Sequence, residues 1–212
     1  MEILVLLFGI AGFALTIIIH EVAHGWMADR LGDPTARLSG RLTLNPIPHI
    51  DLYGSILLPL ILIMVHSPFI FGWAKPVPFD PYNLKNPKKD SALISLAGPI
   101  ANIAVATILA IIYRFVPNQI ISGLILLIIQ FNVALAVFNL IPIHPLDGGK
   151  ILIGILPNKE AREFDDFMNR FGLILLVIII FPVFGGMSLI SYFLYPTINF
   201  ILNLLVPGFG VI

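Results

Sequence analysis

The chain has little charge and no cysteine. Of its 212 residues, 11% are Asp, Glu, Lys or Arg, against about 25% in an average soluble domain. So few charges cannot solvate the surface of a soluble protein, and 58% of the residues are hydrophobic. We therefore predict an integral membrane protein. The absence of cysteine excludes disulfides and thiolate ligands, so a metal ion would have to be bound by His, Asp or Glu.

An excess of charge of one sign is also missing. The chain has 12 basic and 12 acidic residues and no long basic run, so nothing indicates nucleic-acid binding. The N-terminal apolar run has no basic region before it and no small-residue cleavage site after it. We therefore expect a retained membrane helix and not a signal peptide. The lack of an internal repeat disfavours a transporter built from duplicated halves.

Long apolar segments are abundant. Five approach or meet the roughly 20 residues that a membrane-spanning helix needs, and they are residues 3–26, 91–114, 120–141, 171–184 and 189–206. A sixth, residues 53–71, is interrupted by two prolines and a histidine. The sequence thus predicts an all-α polytopic membrane protein with five or six transmembrane helices. We expect a single domain, with a core over about residues 1–150 and a C-terminal helix pair over about residues 171–207.

Basic residues are distributed unevenly between these segments. Eleven of the twelve Lys and Arg fall within residues 25–52, 72–90 and 144–170, which the positive-inside rule places in the cytoplasm. Residues 53–71 would then not cross completely. We predict a re-entrant or interfacial hairpin bent at Pro59, with its backbone covered by protein. A sixth complete span is the alternative.

Two segments between the apolar runs have features of extended structure. Residues 37–44 alternate polar and apolar side chains with the period-two pattern of a strand. Residues 72–79 form a second candidate, which two prolines restrict to a sheet edge. We predict a small β element at the membrane edge, with two surface loops as the alternative.

The most specific pattern is HEVAH at residues 20–24, directly after the first apolar run. On a helix, residues four apart share a face, so His20 and His24 can direct two imidazoles at one zinc ion. Glu21 can act as a general base toward a water molecule. Buried polar residues without a metal are the alternative, and they would be costly within an apolar span. We predict one zinc ion per chain, at or within the bilayer.

A catalytic zinc site needs a third protein ligand. No histidine follows His24 closely, and the glutamates of residues 159–166 lie in a charged stretch. Asp147 is the stronger candidate, because it follows an apolar span in a loop rich in proline and glycine, where an unpaired acid is costly. It reaches the depth of His24 only if residues 53–71 do not cross. Three other polar residues near apolar segments stay as alternatives: Asp51, His49 and His144.

Three motifs occur in order along the chain: HEVAH, GPIAN at residues 98–102, and NLIPIHPLDGG at residues 139–149. Together they resemble the site-2 protease family of intramembrane zinc metalloproteases, peptidase family M50. The resemblance implies zinc ligands at His20, His24 and Asp147, a base at Glu21, and a position near the site for Asn139. It also implies a strand near the site that pairs with an unwound substrate. The chain is similar to the compact branch without PDZ-like or CBS-like domains.

The resemblance predicts zinc-dependent cleavage of transmembrane segments, as in regulated intramembrane proteolysis or the clearance of signal-peptide remnants. Besides Glu21 as the catalytic base, we expect Asn139 to contact the substrate or its oxyanion. The expected partners are a substrate transmembrane helix and the lipid bilayer, with no nucleic acid, and the sequence leaves open whether the chain forms an oligomer. We expect a multi-pass protein of the inner or plasma membrane with its site near the cytoplasmic side. The alternatives are a metal-binding transport or channel protein and a membrane-anchored protease of soluble peptides.

Overall fold

The computed structural model describes residues 2–66, 72–180 and 188–209, and over these residues the ordered elements are helices, without a strand. The α-helices are α1 (Glu2–Leu31), α2 (Thr35–Leu38), α3 (Leu58–Met64), α4 (Pro87–Tyr113), α5 (Gln119–Asn139), α6 (Asp147–Ile155), α7 (Asn158–Ile180) and α8 (Leu189–Leu205). A π-helical stretch, Leu52–Leu57, leads into α3, and single 3-10 turns occur at Ile47–His49 and Pro81–Asn83.

Three of the described helices, α1, α4 and α5, are long and apolar enough to cross a membrane. They correspond to the first three predicted spans, which supports a helical membrane protein. The predicted span at residues 171–184 begins within α7, but its end lies outside the described residues, and α8 has 17 residues. A total of five or six spans therefore stays a prediction.

The central helix is α4, which packs against α1, α5 and α6. Small side chains line its contacts, and Ala106 and Ala110 are buried against Ile129 and Val133 of α5. Because lipid tails are as apolar as leucine, helices in a bilayer associate partly through close packing, which small residues at the interface allow. Helix α4 thereby fixes α1 and α6 relative to each other.

The chain on either side of residues 67–71 comes together near Gly54. Asp51 begins the helical stretch by accepting hydrogen bonds from the backbone N–H groups of Tyr53 and Gly54, at 3.1 and 2.7 Å. The 13 residues of Leu52–Met64 extend about 20 Å, less than the ~30 Å of a hydrocarbon core. The returning chain is bound there, since the N–H of Trp73 donates to the Gly54 carbonyl at 3.2 Å.

The predicted bend at Pro59 is wrong. Pro59 lies in the first turn of α3, with helical backbone before it. Pro59 has no N–H to donate to the preceding helical stretch, but the Gly54 carbonyl five residues earlier accepts from the N–H of Trp73 instead. The helix ends instead near Val65, and His66 has a positive φ of 53°. The described residues end at this point and resume at Gly72.

The predicted strand over residues 37–44 is also wrong. Thr35–Leu38 form the short helix α2, and Gly40 has φ 65°, a conformation that glycine adopts without steric cost. Polar side chains therefore do not share one exposed face here, because Arg41 turns into the protein and is only 6% exposed. Residues 72–79 form neither helix nor strand. Their two prolines lack the N–H groups that a β ladder requires.

Candidate metal centre

Three predicted metal ligands converge between α1 and α6. His20 and His24 lie one turn apart on α1, and Asp147 is the first residue of α6. The Nε2 atoms of His20 and His24 lie 3.0 and 3.2 Å from Oδ2 of Asp147. Among the described residues, this is the group of three His, Cys, Asp or Glu side chains whose ligand atoms are close enough to hold one ion.

The loop after α5 brings Asp147 to this point. Helix α5 ends at Asn139, and α6 starts eight residues later. At Gly148, a Cβ atom would lie 2.3 Å from the carbonyl oxygens of Leu140 and Ile141. Only glycine allows the start of α6 to approach the end of α5 so closely. The glycine of the predicted motif therefore positions the carboxylate.

The other nitrogen of each imidazole is bound to an acceptor. Nδ1 of His20 lies 2.6 Å from Oδ1 of Asn102, and Nδ1 of His24 lies 2.7 Å from the Ile94 carbonyl oxygen. Both Nδ1 atoms therefore carry a hydrogen, which in a neutral imidazole leaves a lone pair on Nε2. Two lone pairs and a carboxylate oxygen then face one another, an arrangement that a shared cation stabilises.

The donor set fits zinc. Two imidazoles and a carboxylate are ligands that catalytic zinc sites use, with a further position left open. Ligand atoms at zinc bond lengths and tetrahedral angles lie about 3.3 Å apart, close to the 3.0 and 3.2 Å between the two Nε2 atoms and Asp147. The residues present therefore fit a zinc ion in donor type and in these two separations.

The GPIAN motif on α4 forms the floor of the site. A Cβ atom at Gly98 would lie 2.5 to 2.6 Å from ring atoms of His20 and His24, so any larger residue would displace both imidazoles. One turn later, Asn102 is fully buried. Its Nδ2 donates to the Thr16 carbonyl and to Oδ1 of Asn132, which fixes its own Oδ1 toward His20.

Glu21 lies beside the ligands and is bound by the chain segment after the hairpin. Its Oε2 accepts a hydrogen bond from the backbone N–H of Val77 at 2.8 Å. Glu21 and His20 both line a cleft of about 470 Å³ between α1, α5, α8 and residues 72–74. Asn139 lies in the same wall, with its Nδ2 bound to the Leu135 carbonyl at 3.0 Å. The remaining lining is apolar: Phe13, Ile17, Ala134, Leu135, Phe138, Leu194 and Ile198.

The alternative ligands predicted from the sequence serve other purposes. Asp51 caps the helical stretch of the hairpin, and the buried His49 is bound through Nε2 to the Thr43 carbonyl at 2.9 Å. Nε2 of His144 lies 3.8 Å from Oδ1 of Asp165. None of the three belongs to the His20, His24 and Asp147 group within the described residues.

Sequence reasoning missed two kinds of contact. Asn132 and Thr16 orient Asn102, and two asparagines within apolar spans were a detectable signal, because buried amides there need partners. The backbone groups of Ile94 and Val77 also contact the site. A backbone contact leaves no side-chain signature in a sequence.

Comparison with known proteins identifies the family. The model of peptidase family M50 matches residues 116–179. The chain is 34% identical over 190 residues to YwhC of Bacillus subtilis, named "Putative zinc metalloprotease", an alignment that covers 85% of this chain and 80% of YwhC. The chain belongs to peptidase family M50. No solved structure matches this M50 chain significantly.

Two further relatives of this M50 protein carry related names. Rip2 of Mycolicibacterium smegmatis, with the same description as YwhC, is 31% identical over 176 residues, covering 82% of this chain and 66% of Rip2. MJ0392 of Methanocaldococcus jannaschii, named a zinc metalloprotease, is 26% identical over 147 residues, covering 68% of this chain and 33% of that protein.

Proposed function

We propose that this M50 protein is a zinc-dependent intramembrane endopeptidase that hydrolyses peptide bonds in membrane-spanning segments of other proteins. The observation that carries the proposal is the convergence of His20, His24 and Asp147 beside Glu21, at an apolar cleft between membrane-length helices. Family membership and the zinc metalloprotease relatives support zinc as the metal. A transport function gives no role to the acid beside the ligands.

Each residue of the site has a distinct task. His20, His24 and Asp147 would hold zinc, which in such sites acidifies water and polarises a carbonyl group. Glu21 takes the proton from the attacking water and transfers it to the leaving amine. Asn102 and the Ile94 carbonyl keep the two imidazoles oriented. We assign the binding of the substrate carbonyl to the amide of Asn139, because this residue lines the same cleft.

The cleft supports a membrane segment as substrate. Its walls are mostly apolar, so a peptide that enters leaves lipid without losing apolar contacts. The substrate must unwind locally, because a helix binds its own amides internally. Residues 72–74 line the cleft beside Glu21. We assign to these residues, and not to residues 37–44, the backbone pairing that the family resemblance implies.

We further propose that the site lies toward the cytoplasmic side of the cell membrane, with five complete spans and a re-entrant hairpin. Lys88, at the start of α4, is bound to Asn158 at the start of α7, with Nζ 3.0 Å from the amide oxygen. Arg114 lies at the other end of α4, about 40 Å away. The basic residues thus collect at the end toward which α1 carries His24, in accord with the positive-inside rule.

Substitution of Glu21 tests the proposed chemistry. Glu21→Gln keeps a side chain of the same shape but cannot accept the proton, so we expect turnover of a membrane-segment substrate to fall by at least about 100-fold. Zinc content of the purified protein should stay at one per chain. The measurement is cleavage in detergent micelles beside metal analysis. Substantial turnover by the variant would show that Glu21 is not the general base.

Substitution of Asp147 tests the ligand set. Asp147→Ala leaves two ligands where a catalytic site uses three, so we expect the purified protein to contain little zinc. Asp165→Ala, which alters an acid outside the cluster, serves as the control and should keep its metal. An unchanged zinc content in Asp147→Ala would assign the third ligand elsewhere.

A further inference from the structure

Arg41 is a buried cation for which the described residues provide no acidic partner. Its side chain is 6% exposed, and its Nε has no hydrogen-bond partner. The described ion pairs of arginine involve Arg37 and not Arg41. Removing a cation from water without a counter-ion costs free energy. Other contacts of the Arg41 guanidinium group should therefore offset the cost of burying it.

The guanidinium binds two carbonyl oxygens beside Glu21, the proposed general base. Nη2 of Arg41 donates to the carbonyl oxygens of Lys75 and Pro76, at 2.5 and 3.1 Å. The Pro76 carbonyl and the Val77 N–H belong to one peptide unit. That N–H donates to Oε2 of Glu21 at 2.8 Å. A single peptide thus joins a buried cation to the carboxylate of Glu21.

The residues on either side of Val77 leave its backbone N–H as the donor of this segment. Pro76 and Pro78 have no N–H, so in the Pro-Val-Pro segment only Val77 can donate. Pro78 also disfavours a helical conformation at Val77 and keeps the segment extended. The Val77 side chain is buried against Gly25, where a Cβ atom would lie 2.7 Å from Cγ1 of Val77. This packing fixes the segment on α1 one turn beyond Glu21.

We propose that Arg41 acts through the Pro76–Val77 peptide to orient the Glu21 carboxylate, which makes Arg41 and Val77 positioning residues for the general base. A peptide bound at its oxygen by a cation is a stronger donor at its N–H, because hydrogen bonds in a chain polarise one another. The Val77 N–H then fixes Oε2 of Glu21, so the carboxylate keeps one orientation. The proposal rests on the proposed function, since it requires Glu21 to be the base.

Two matched pairs of variants test this arrangement. Val77→Pro removes the N–H, whereas Val77→Ala keeps it and shortens the side chain. Arg41→Gln removes the charge, whereas Arg41→Lys keeps it. We expect Val77→Pro and Arg41→Gln each to lower kcat roughly 10- to 100-fold, as misplacement of a catalytic group does, with KM and zinc content nearly unchanged. Val77→Ala and Arg41→Lys should each keep a kcat severalfold above that of its partner.

A double variant separates positioning from general packing. If Arg41 acts through the Val77 N–H, Arg41→Gln combined with Val77→Pro should lose no more kcat than the worse single variant. Multiplied losses, or equal kcat within both matched pairs, would overturn the proposal. If Val77→Pro fails to fold, equal kcat of Arg41→Gln and Arg41→Lys overturns it alone. Wild type and Glu21→Gln are assayed alongside, because an inactive wild type contradicts the proposed function and not the positioning.

Discussion

Asn102 determines which nitrogen of His20 is available to a metal. Its amide oxygen receives the Nδ1 hydrogen of His20 at 2.6 Å, while its amide nitrogen is bound to Thr16 and Asn132. A neutral imidazole has one donor and one acceptor nitrogen, so this contact leaves Nε2 as the ligand atom. A hydrogen-bond partner of this kind also fixes the plane of the ring.

We expect Asn102→Leu to weaken zinc binding about 10- to 100-fold, the usual cost of losing a partner of a metal-bound histidine. Asn102→Asp keeps an acceptor toward His20 and should retain more of the affinity. The measurement is competition with a zinc chelator, which needs no catalytic activity. Asn203→Leu, on the exposed face of α8, is the control. Equal losses in the two Asn102 variants would mean that packing alone matters there.

The sequence predicted the three side chains that converge in the candidate metal centre, but not the residues that orient them. His20, Glu21 and His24 followed from helical spacing, and Asp147 from elimination among a small number of acids. Arg41 was misassigned to the polar face of a strand, because alternation alone cannot distinguish a strand from a turn followed by a buried arginine. Its role depends on backbone atoms more than 30 residues away, which no local pattern encodes.

The connection after α1 is held by one acid. Asp33 is fully buried and accepts from the N–H and hydroxyl of Thr35, from the N–H of Asp80 at 2.7 Å and from Nδ2 of Asn83 at 2.8 Å. It therefore joins the segment after α1 to the segment before α4. Burial by itself raises the pKa of Asp33, but these hydrogen bonds outweigh it and lower the pKa below its ordinary value.

A lowered pKa makes the contribution of Asp33 depend on pH. The folded state favours the ionised carboxylate, so the stabilisation is complete above the ordinary pKa of about 4. It is lost as the pH falls through the lower folded value. We expect Asp33→Asn to lose about 1–3 kcal/mol of stability at pH 7 and to show less dependence on acidic pH. The measurement is the thermal midpoint in detergent against pH.

Asp29→Asn is the control for that measurement, because Asp29 forms an ion pair with the largely exposed Arg37. Such a pair contributes little, about 0–1 kcal/mol. A pH dependence in Asp33→Asn equal to that of the wild type would show that other groups control acid stability.

At the scale of elements, long helices were easier to predict than short ones. Helices α1, α4 and α5 followed from apolar length, since a span of about 20 residues has few other interpretations. The chain after residues 53–71 was predicted to return beside their start, and Trp73 does contact Gly54. The bend, however, was predicted at Pro59, which lies within a helix. Pro59 lies in the first turn of α3, which follows directly on the π-helical stretch that Asp51 caps, and the sequence alone did not show where one ends and the other begins.

At the scale of the whole molecule, the proposed topology predicts which residues share a side of the membrane. The chain has no cysteine, so a cysteine introduced by a single substitution is the one thiol that a reagent can label. We expect Lys89→Cys and Lys159→Cys to react with an impermeant thiol reagent only from the cytoplasmic side, and Pro117→Cys only from the other side. The measurement is labelling of sealed vesicles of known orientation.

The same labelling tests the hairpin. Arg37→Cys and Tyr82→Cys flank residues 53–71, and both positions are exposed. A re-entrant segment puts both on one side, whereas a complete span separates them. Labelling from opposite sides would contradict the topology that delivers Asp147 to the depth of His24.

The distribution of the ligands between α1 and α6 has a consequence for the synthesis of the protein. His20 and Asp147 are separated by 127 residues, which the ribosome adds in roughly 6 to 25 s. Until then the emerging chain contains the two histidines and the glutamate without Asp147, the third ligand of the proposed zinc site. If Asp147 is the third ligand, the proposed zinc site is completed only after α4 and α5, which the ribosome makes before residue 147, are available to shape it.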